Sequence, residues 1–234
     1  MPVLLLAQGD PPAKELLKQA ITARYGLRPP AIESLAIQFK GRARVKVGPV
    51  SAWVPVDASA SFLFPIAMRW DFIVKPIGLE IQRGIEAFDG AVYRRARGTQ
   101  ATVIDTPEQV SSMQGRLWAI AALLLTPLGE AFVQLKAGGD HSLEAVNTRL
   151  NNAVRLQLRD NYTLDCVEVT CLNPDSDRIQ RFTLRLSTEQ KPIDELMLPL
   201  KISAFWDDAP YFEAEPVKVE LNPTIPESVF TLSE

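Results

Sequence analysis

Over most of this chain apolar residues alternate with polar ones, and a period of two commits a protein to half-buried strands. Leu35, Ile37 and Phe39, then Ala43, Val45 and Val47, share one face, with Gln38, Lys40, Arg44 and Lys46 opposite. Phe62, Phe64, Ile66, Met68, Trp70 and Phe72 form an apolar set at even positions, opposed by Pro65, Ala67, Arg69 and Asp71. They predict a strand pair or one long bent strand, with Pro65 at an edge or bend. Leu79, Ile81 and Ile85 carry the alternation to Asp89-Gly90, a tight-turn signal between strands. Tyr93 to Ile104 reads as one or two further strands, with Arg94, Arg95 and Arg97 on a solvated face. The period returns at Val154, Leu156 and Leu158, at Phe182, Leu184 and Leu186, at Leu198, Leu200 and Ile202, and at Val217, Val219 and Leu221. That makes about ten strands.

Two stretches break the period. After Asp10-Pro11-Pro12, residues Leu16, Leu17, Ala20, Ile21 and Tyr25 recur at helical spacing until Gly26 and Pro29-Pro30 end the run. From Pro107 to Leu135 the apolar residues surround a helix instead of forming one stripe, so it must be covered on nearly every side, and Pro127 breaks it in two. Gly138-Gly139-Asp140-His141 reads as a flexible loop. The sequence has no internal repeat, low-complexity segment or linker, and a length of 234 suits a single domain over 1–234. Residues 1–10 are either disordered or the remnant of a signal peptide: Leu5, Leu6 and Ala7 before Gln8 suit a cleavage site if the native chain begins upstream. The expected class is α+β, mainly antiparallel β, with helices on one face of a large sheet.

Composition removes several functions. With 25 basic and 28 acidic side chains and no long run of one sign, no nucleic-acid partner is expected. One His and two Cys supply neither a structural zinc site nor a disulfide scaffold. The longest apolar run, Leu117 to Leu125, falls short of the roughly 20 residues of a membrane-spanning helix. Phosphate-cradling glycine motifs are absent, and no cofactor is expected. His141 beside two glycines is a poorly placed base. Cys166 and Cys171, five apart on a strand, point to opposite faces about 16 Å from each other. Asp175-Ser176-Asp177 reads as a hairpin turn, and Asp194-Glu195 and Asp207-Asp208 as solvated turn carboxylates. These residues predict no catalytic site; the enzymatic alternative is a carboxylate-dependent hydrolase, whose paired acids sequence cannot place.

Three segments carry a resemblance. They are FPIAMRWDFIVKPIGLEIQRGIEAFDG (64–90), the insertion RLWAIAALLLTPLGEAF (116–132), and the closing stretch LMLPLKISAFWDDAPYFEAEPVKVELNPTIPESVF (196–230). In the last, Leu198-Pro199-Leu200-Lys201-Ile202 and Leu221-Asn222-Pro223, with Ile225-Pro226 and Phe230 behind, match best. With the order helix, strands, apolar helical insertion, strands, the chain resembles the LolA-like superfamily of bacterial envelope lipid and lipoprotein carriers over nearly its whole length. It departs in having Tyr93 where many relatives carry a Trp, in lacking a complete export signal, and in offering no residue-by-residue match to the family's lid-latching arginine.

The resemblance implies an incomplete, half β-barrel whose concave face is covered by helices, with 107–135 as a helical lid over an apolar cavity. Phe62, Phe64, Met68, Trp70 and Phe72 would line its sheet side, and Trp118, Leu124, Leu125, Leu128 and Phe132 its lid side. The same residues also suit an ordinary filled core. The implied function is a non-enzymatic, monomeric carrier of lipid or lipoprotein acyl chains, exchanging them with membrane-bound donor and acceptor proteins. Its place would be the periplasm or extracytoplasmic envelope if a signal peptide precedes the chain, and the cytoplasm otherwise. The alternative function is a lipid-responsive sensory module that regulates a protein partner.

Overall fold

The computed structural model describes residues 6–47, 50–75, 80, 82–98, 100–194 and 196–231. Residues 1–5, Leu79, Ile81 and Glu195, which enter the sequence reading above, lie outside them, as do the side chains of Lys46 and Val47. The chain opens with a short strand, β1 (Gln8–Gly9), and the expected helix, α1 (Pro11–Tyr25). The Asp10 carboxylate accepts from the Ala13 amide at 3.2 Å and so satisfies one of the free N–H groups at the helix start. Gly26, at φ 67°, turns the chain out of the helix.

Strands β2 (Ser34–Val47), β3 (Val50–Leu63), β4 (Ala67–Val74), β5 (Gln82–Phe88), β6 (Tyr93–Arg97) and β7 (Gln100–Ile104) then run as a meander into α2 (Pro107–Ala122). Beyond it lie β8 (Val133–Ala137), β9 (Ser142–Asn147), β10 (Asn152–Leu158), β11 (Leu164–Asn173), β12 (Arg178–Leu186), the hairpin β13 (Gln190–Ile193) and β14 (Leu196–Pro199), β15 (Ile202–Trp206) and β16 (Ala209–Leu221). Fourteen of these strands form one sheet in the order β1-β8-β9-β10-β11-β12-β15-β16-β2-β3-β4-β5-β6-β7, and β13 and β14 pair separately. Every pairing in the large sheet is antiparallel except that of β1 with β8. The sheet is open: β1 and β7 are its edges. This is mainly antiparallel β structure with two helices.

Sixteen strands among the described residues exceed the expected ten, because turn residues divide some of the alternating runs and because β1, β8, β9 and β13 fall where no strand was expected. The set Phe62 to Phe72 is a strand pair: a turn at Phe64-Pro65-Ile66 folds β4 onto β3 so that Phe62 opposes Met68. Leu198 and Ile202 fall in different strands, β14 and β15. In β16 a register shift between Pro216 and Lys218 leaves Val217 half exposed while Val219 is buried. The insertion at 107–135 also ends earlier than its composition implied. α2 stops at Ala122, Leu125 takes φ 64°, and Thr126–Gly129 form a single 3₁₀ turn. Proline cannot continue a helix ladder, and from Val133 the apolar period is two, so 133–135 belong to a strand. Gly138 to His141 is a hydrogen-bonded turn: the Gly138 amide donates to Ser142 O at 2.8 Å and the Ser142 amide to Gly139 O at 3.1 Å.

Two apolar cores flank α2. On one side Trp118, Ala119, Ala122 and Leu125 pack with α1 and with β8 to β12. On the other, Met113, Leu117 and Leu124 meet β2, β3 and β4 and the buried Phe88 and Tyr93. The second half of the helix, covered on both sides, has no free polar face, which explains why its residues from Leu117 on are apolar all round, whereas Glu108 and Ser111 in the first half are exposed.

Candidate functional site

A cavity of about 420 Å³ lies between α2 and the sheet. Strand parity builds one wall. Leu35, Ile37 and Phe39 come from β2, Phe62 from β3, and Met68, Trp70 and Phe72 from β4. Trp70 stacks on Phe39 with centroids 5.2 Å apart, giving that wall a continuous aromatic surface. Phe182, Leu184 and Leu186 of β12 stand on the far side. The helix contributes Met113, Arg116 and Ile120, at spacings of three and four that place them on one helical face, followed by Leu123 and Leu124.

Of the residues singled out from sequence, Phe62, Met68, Trp70, Phe72 and Leu124 line this cavity. Phe64 stacks on Phe62 at 5.4 Å and is not part of the wall. Trp118, Leu125 and Leu128 are fully buried in the core on the other side of α2, where the Trp118 indole donates to Ala145 O at 3.2 Å. Phe132 packs beside Trp118, with the Arg149 guanidinium 4.4 Å over its ring. α2 therefore presents two apolar faces, and only one of them borders the cavity.

A polar cluster in the same wall was not foreseen. Glu86 and Arg95 oppose each other in the β5–β6 register. Arg97 donates to Glu86 at 2.8 Å, the Arg95 Nε lies 3.7 Å from it, and Arg95 also pairs with Asp175 in the β11–β12 turn at 2.9 Å. The expectation of a solvated arginine triplet is therefore corrected. Alternation along β6 sends only Arg94 to the other face, where it meets Asp89 at 2.5 Å; Arg95 and Arg97 turn inward. The signal was present in the Asp89-Gly90 turn, which fixes the hairpin register and hence the facing pair. Arg69 and Asp71, on the outer face, pair with each other at 2.7 Å, and Arg69 also donates to Val229 O at 3.1 Å.

Arg116 completes the cluster from α2. Its guanidinium is buried, one Nη lies 2.8 Å from the Met113 sulfur, and among the described residues its Nε has no hydrogen-bond partner. It sits 5.5 Å from the ring of Tyr93, whose buried hydroxyl also lacks a partner and whose pKa burial raises. Burial pushes the Glu86 carboxyl upward, but the charge of Arg116, the Arg97 hydrogen bond and the charges of Arg97 and Arg95 together hold it below the usual carboxylate range. A second buried arginine, Arg24 of α1, also reaches the cavity and donates to the Leu123 and Met197 carbonyls.

Apart from Asp175, the remaining candidates lie away from this cavity. His141 sits in the β8–β9 turn, 3.8 Å from Asp160. Cys166 and Cys171 are free thiols, and burial, ahead of the neighbouring Glu168 and Asp165, pushes Cys166 up to about 11. Asp207 accepts from the Arg181 amide at 3.0 Å and Asp208 pairs with the Arg181 side chain at 3.0 Å, so both are turn carboxylates in ordinary contacts. Asp175 to Asp177 form the β11–β12 turn, and the Asp194 carboxylate accepts from the Val219 amide at 3.1 Å. Among the described residues no group of three His, Cys, Asp or Glu side chains could hold a metal ion, and no helix is long and apolar enough to cross a membrane.

No family model matches the sequence, and no curated protein matches it. Solved structures do. The LolA superfamily protein NE2245 from Nitrosomonas europaea aligns over 94% of this chain and 97% of its own at 14% identity, with a TM-score of 0.51. A DUF1329 family protein from Desulfovibrio piger aligns over 94% and 97% at 9% identity, also with a TM-score of 0.51. At such identities the likeness is one of fold, and the fold is that of the LolA superfamily protein, as the three segments suggested.

Proposed function

We propose that this protein is a non-enzymatic carrier that shelters acyl chains of a lipid or lipoprotein in the cavity beneath α2 and passes them across the cell envelope. The observation that carries the reading is the cavity itself: about 420 Å³ walled by Phe39, Phe62, Met68, Trp70 and Phe72 and roofed by Met113, Ile120 and Leu124. Its size falls in the range of about 300 to 1,000 Å³ typical of ligand sites. Each methylene moved from water into such a space contributes about 0.8 kcal/mol. The Met68 and Met113 thioethers adapt to chains of different shape. The open sheet is read as half of a barrel, with α2 as its lid, and the fold shared with a LolA superfamily protein supports that assignment.

The carrier acts as a monomer in the extracytoplasmic envelope, receiving a chain from a membrane-bound donor and yielding it to an acceptor. Release follows from a difference in affinity between lid-open and lid-closed states. The test is native mass spectrometry of protein purified without detergent, with organic extraction of bound material. A reproducible excess mass that extracts as lipid supports the carrier. A clean mass that does not shift when lipid is offered would sink it.

A further inference from the structure

A buried cation without an anion is costly, because desolvation is not repaid by an ion pair. Arg116 makes no direct ion pair among the described residues, although the nearby Glu86 charge favours its charged form. It is 8% exposed, a thioether at 2.8 Å and the nearby Tyr93 hydroxyl are its polar neighbours, and among the described residues its Nε is unpartnered. The two nearby carboxylates are already engaged, Glu86 by Arg97 at 2.8 Å and Asp175 by Arg95 at 2.9 Å. Three guanidiniums thus share two carboxylates. The described cavity lining as a whole is imbalanced in the same direction, with six arginines and three acidic residues, although the chain has a net charge of -3. Arg24 differs from Arg116 because main-chain carbonyls take up its donors.

The geometry points to a site for the monoanionic head group of a single-chain amphiphile: a fatty-acid carboxylate held by Arg116, with its hydrocarbon along Met68, Trp70 and Phe72. One negative charge balances the cluster, and a planar guanidinium with free N–H groups matches a carboxylate. A wholly uncharged cargo, such as an alcohol or an acyl ester, leaves Arg116 uncompensated. This inference rests on the reading of the cavity as an acyl-chain site.

The test uses the full, delipidated chain, titrated calorimetrically with dodecanoate, dodecanol and acetate. Dodecanoate is expected to bind about tenfold or more tighter than dodecanol, the factor that one charge-assisted contact supplies, and acetate is expected not to compete. Arg116→Met should bind the two amphiphiles equally, and Arg116→Lys should keep part of the preference. Equal binding of acid and alcohol by the unaltered protein would overturn the head-group site while leaving the carrier intact. Acetate that displaces dodecanoate would make this an anion site with no need of a chain, which also overturns it. If neither amphiphile binds, the carrier reading itself fails. Should the Arg116 variants not fold, the acid-to-alcohol ratio of the unaltered protein decides alone.

Discussion

Arg24, in the last turn of α1, donates from its guanidinium to the carbonyl of Leu123, the capping residue just beyond α2. Its Nε reaches Met197 O at 2.9 Å, so one buried side chain ties α1, the end of α2 and β14 together. Helix ends leave carbonyls without partners, and a buried one must find a donor. Arg24→Met leaves two such carbonyls unpaired and is expected to destabilise the fold by about 3 kcal/mol, two charge-assisted bonds less the relief of burying a cation. Tyr25→Phe, which removes a 3.0 Å bond to Leu124 O, should cost about 1 kcal/mol. Urea unfolding measures both.

Glu86 makes stability depend on pH. Its folded-state pKa lies below the unfolded value of about 4.3, so its contribution is complete above that pH and is lost as pH falls through the folded value. Glu86→Gln is expected to lose about 3 kcal/mol at pH 7, because it strands buried guanidiniums. Between pH 7 and pH 3 the variant should lose less stability than the unaltered protein. Parallel losses in the two would show that Glu86 is not the group responsible.

Gly84 makes room for an aromatic ring. Phe72 opposes it in the β4–β5 register, and a Cβ at position 84 would stand 2.2 Å from the Phe72 ring. The Arg97 guanidinium covers that ring at 4.6 Å. Gly84→Val must push Phe72 aside, at an expected cost of about 2 kcal/mol. An unfolding midpoint within error of the unaltered protein would mean that the ring moves freely.

Trp70 and Trp118 separate the cavity from the core. Trp70 lines the cavity, whereas Trp118 is fully buried behind α2. A brominated acyl chain should therefore quench Trp70, so that Trp70→Phe loses most of the effect and Trp118→Phe keeps it. Trp118→Ala is expected to destabilise by about 3 to 5 kcal/mol, as truncation of a core residue does. Quenching that persists in Trp70→Phe would place the chain elsewhere.

How much of this was legible in the sequence differs by element. Asp10, the spacing of Leu17, Ala20 and Ile21, and Gly26 marked α1 with its caps. Two-residue periods marked the strands but not where turns cut them, since Phe64-Pro65-Ile66 keeps the apolar parity of the strands on either side. The aromatic wall at Phe62, Met68, Trp70 and Phe72 followed from parity alone. The lid side did not. A helix that is apolar all round does not declare which face meets a cavity, so Met113 and Ile120 were missed, and Trp118 and Leu128 belong to the opposite side. The cluster around Glu86 went unread because three arginines in a short strand look solvated until the hairpin register sets Arg95 against Glu86.

The fastening of α2 is unequal. Its trailing end is pinned by Arg24, by the Tyr25 hydroxyl and, at the end of the 3₁₀ turn that follows, by the Leu6 and Ala7 amides, which both donate to Gly129 O at 2.8 Å. Its leading end has no side-chain cap at Thr106 and is held by the half-buried Gln109 amide, 3.0 Å from Asp177, and by Ser112 donating to Leu172 O. Were the proposed lid to open about this end, Leu123 would be its fulcrum and the helix an arm of about 24 Å. A swing of about 10° there would carry Pro107 some 4 Å, roughly the thickness of a hydrocarbon chain. In the proposed carrier the same swing would draw Arg116 away from Glu86, and the attraction between the two charges would oppose it.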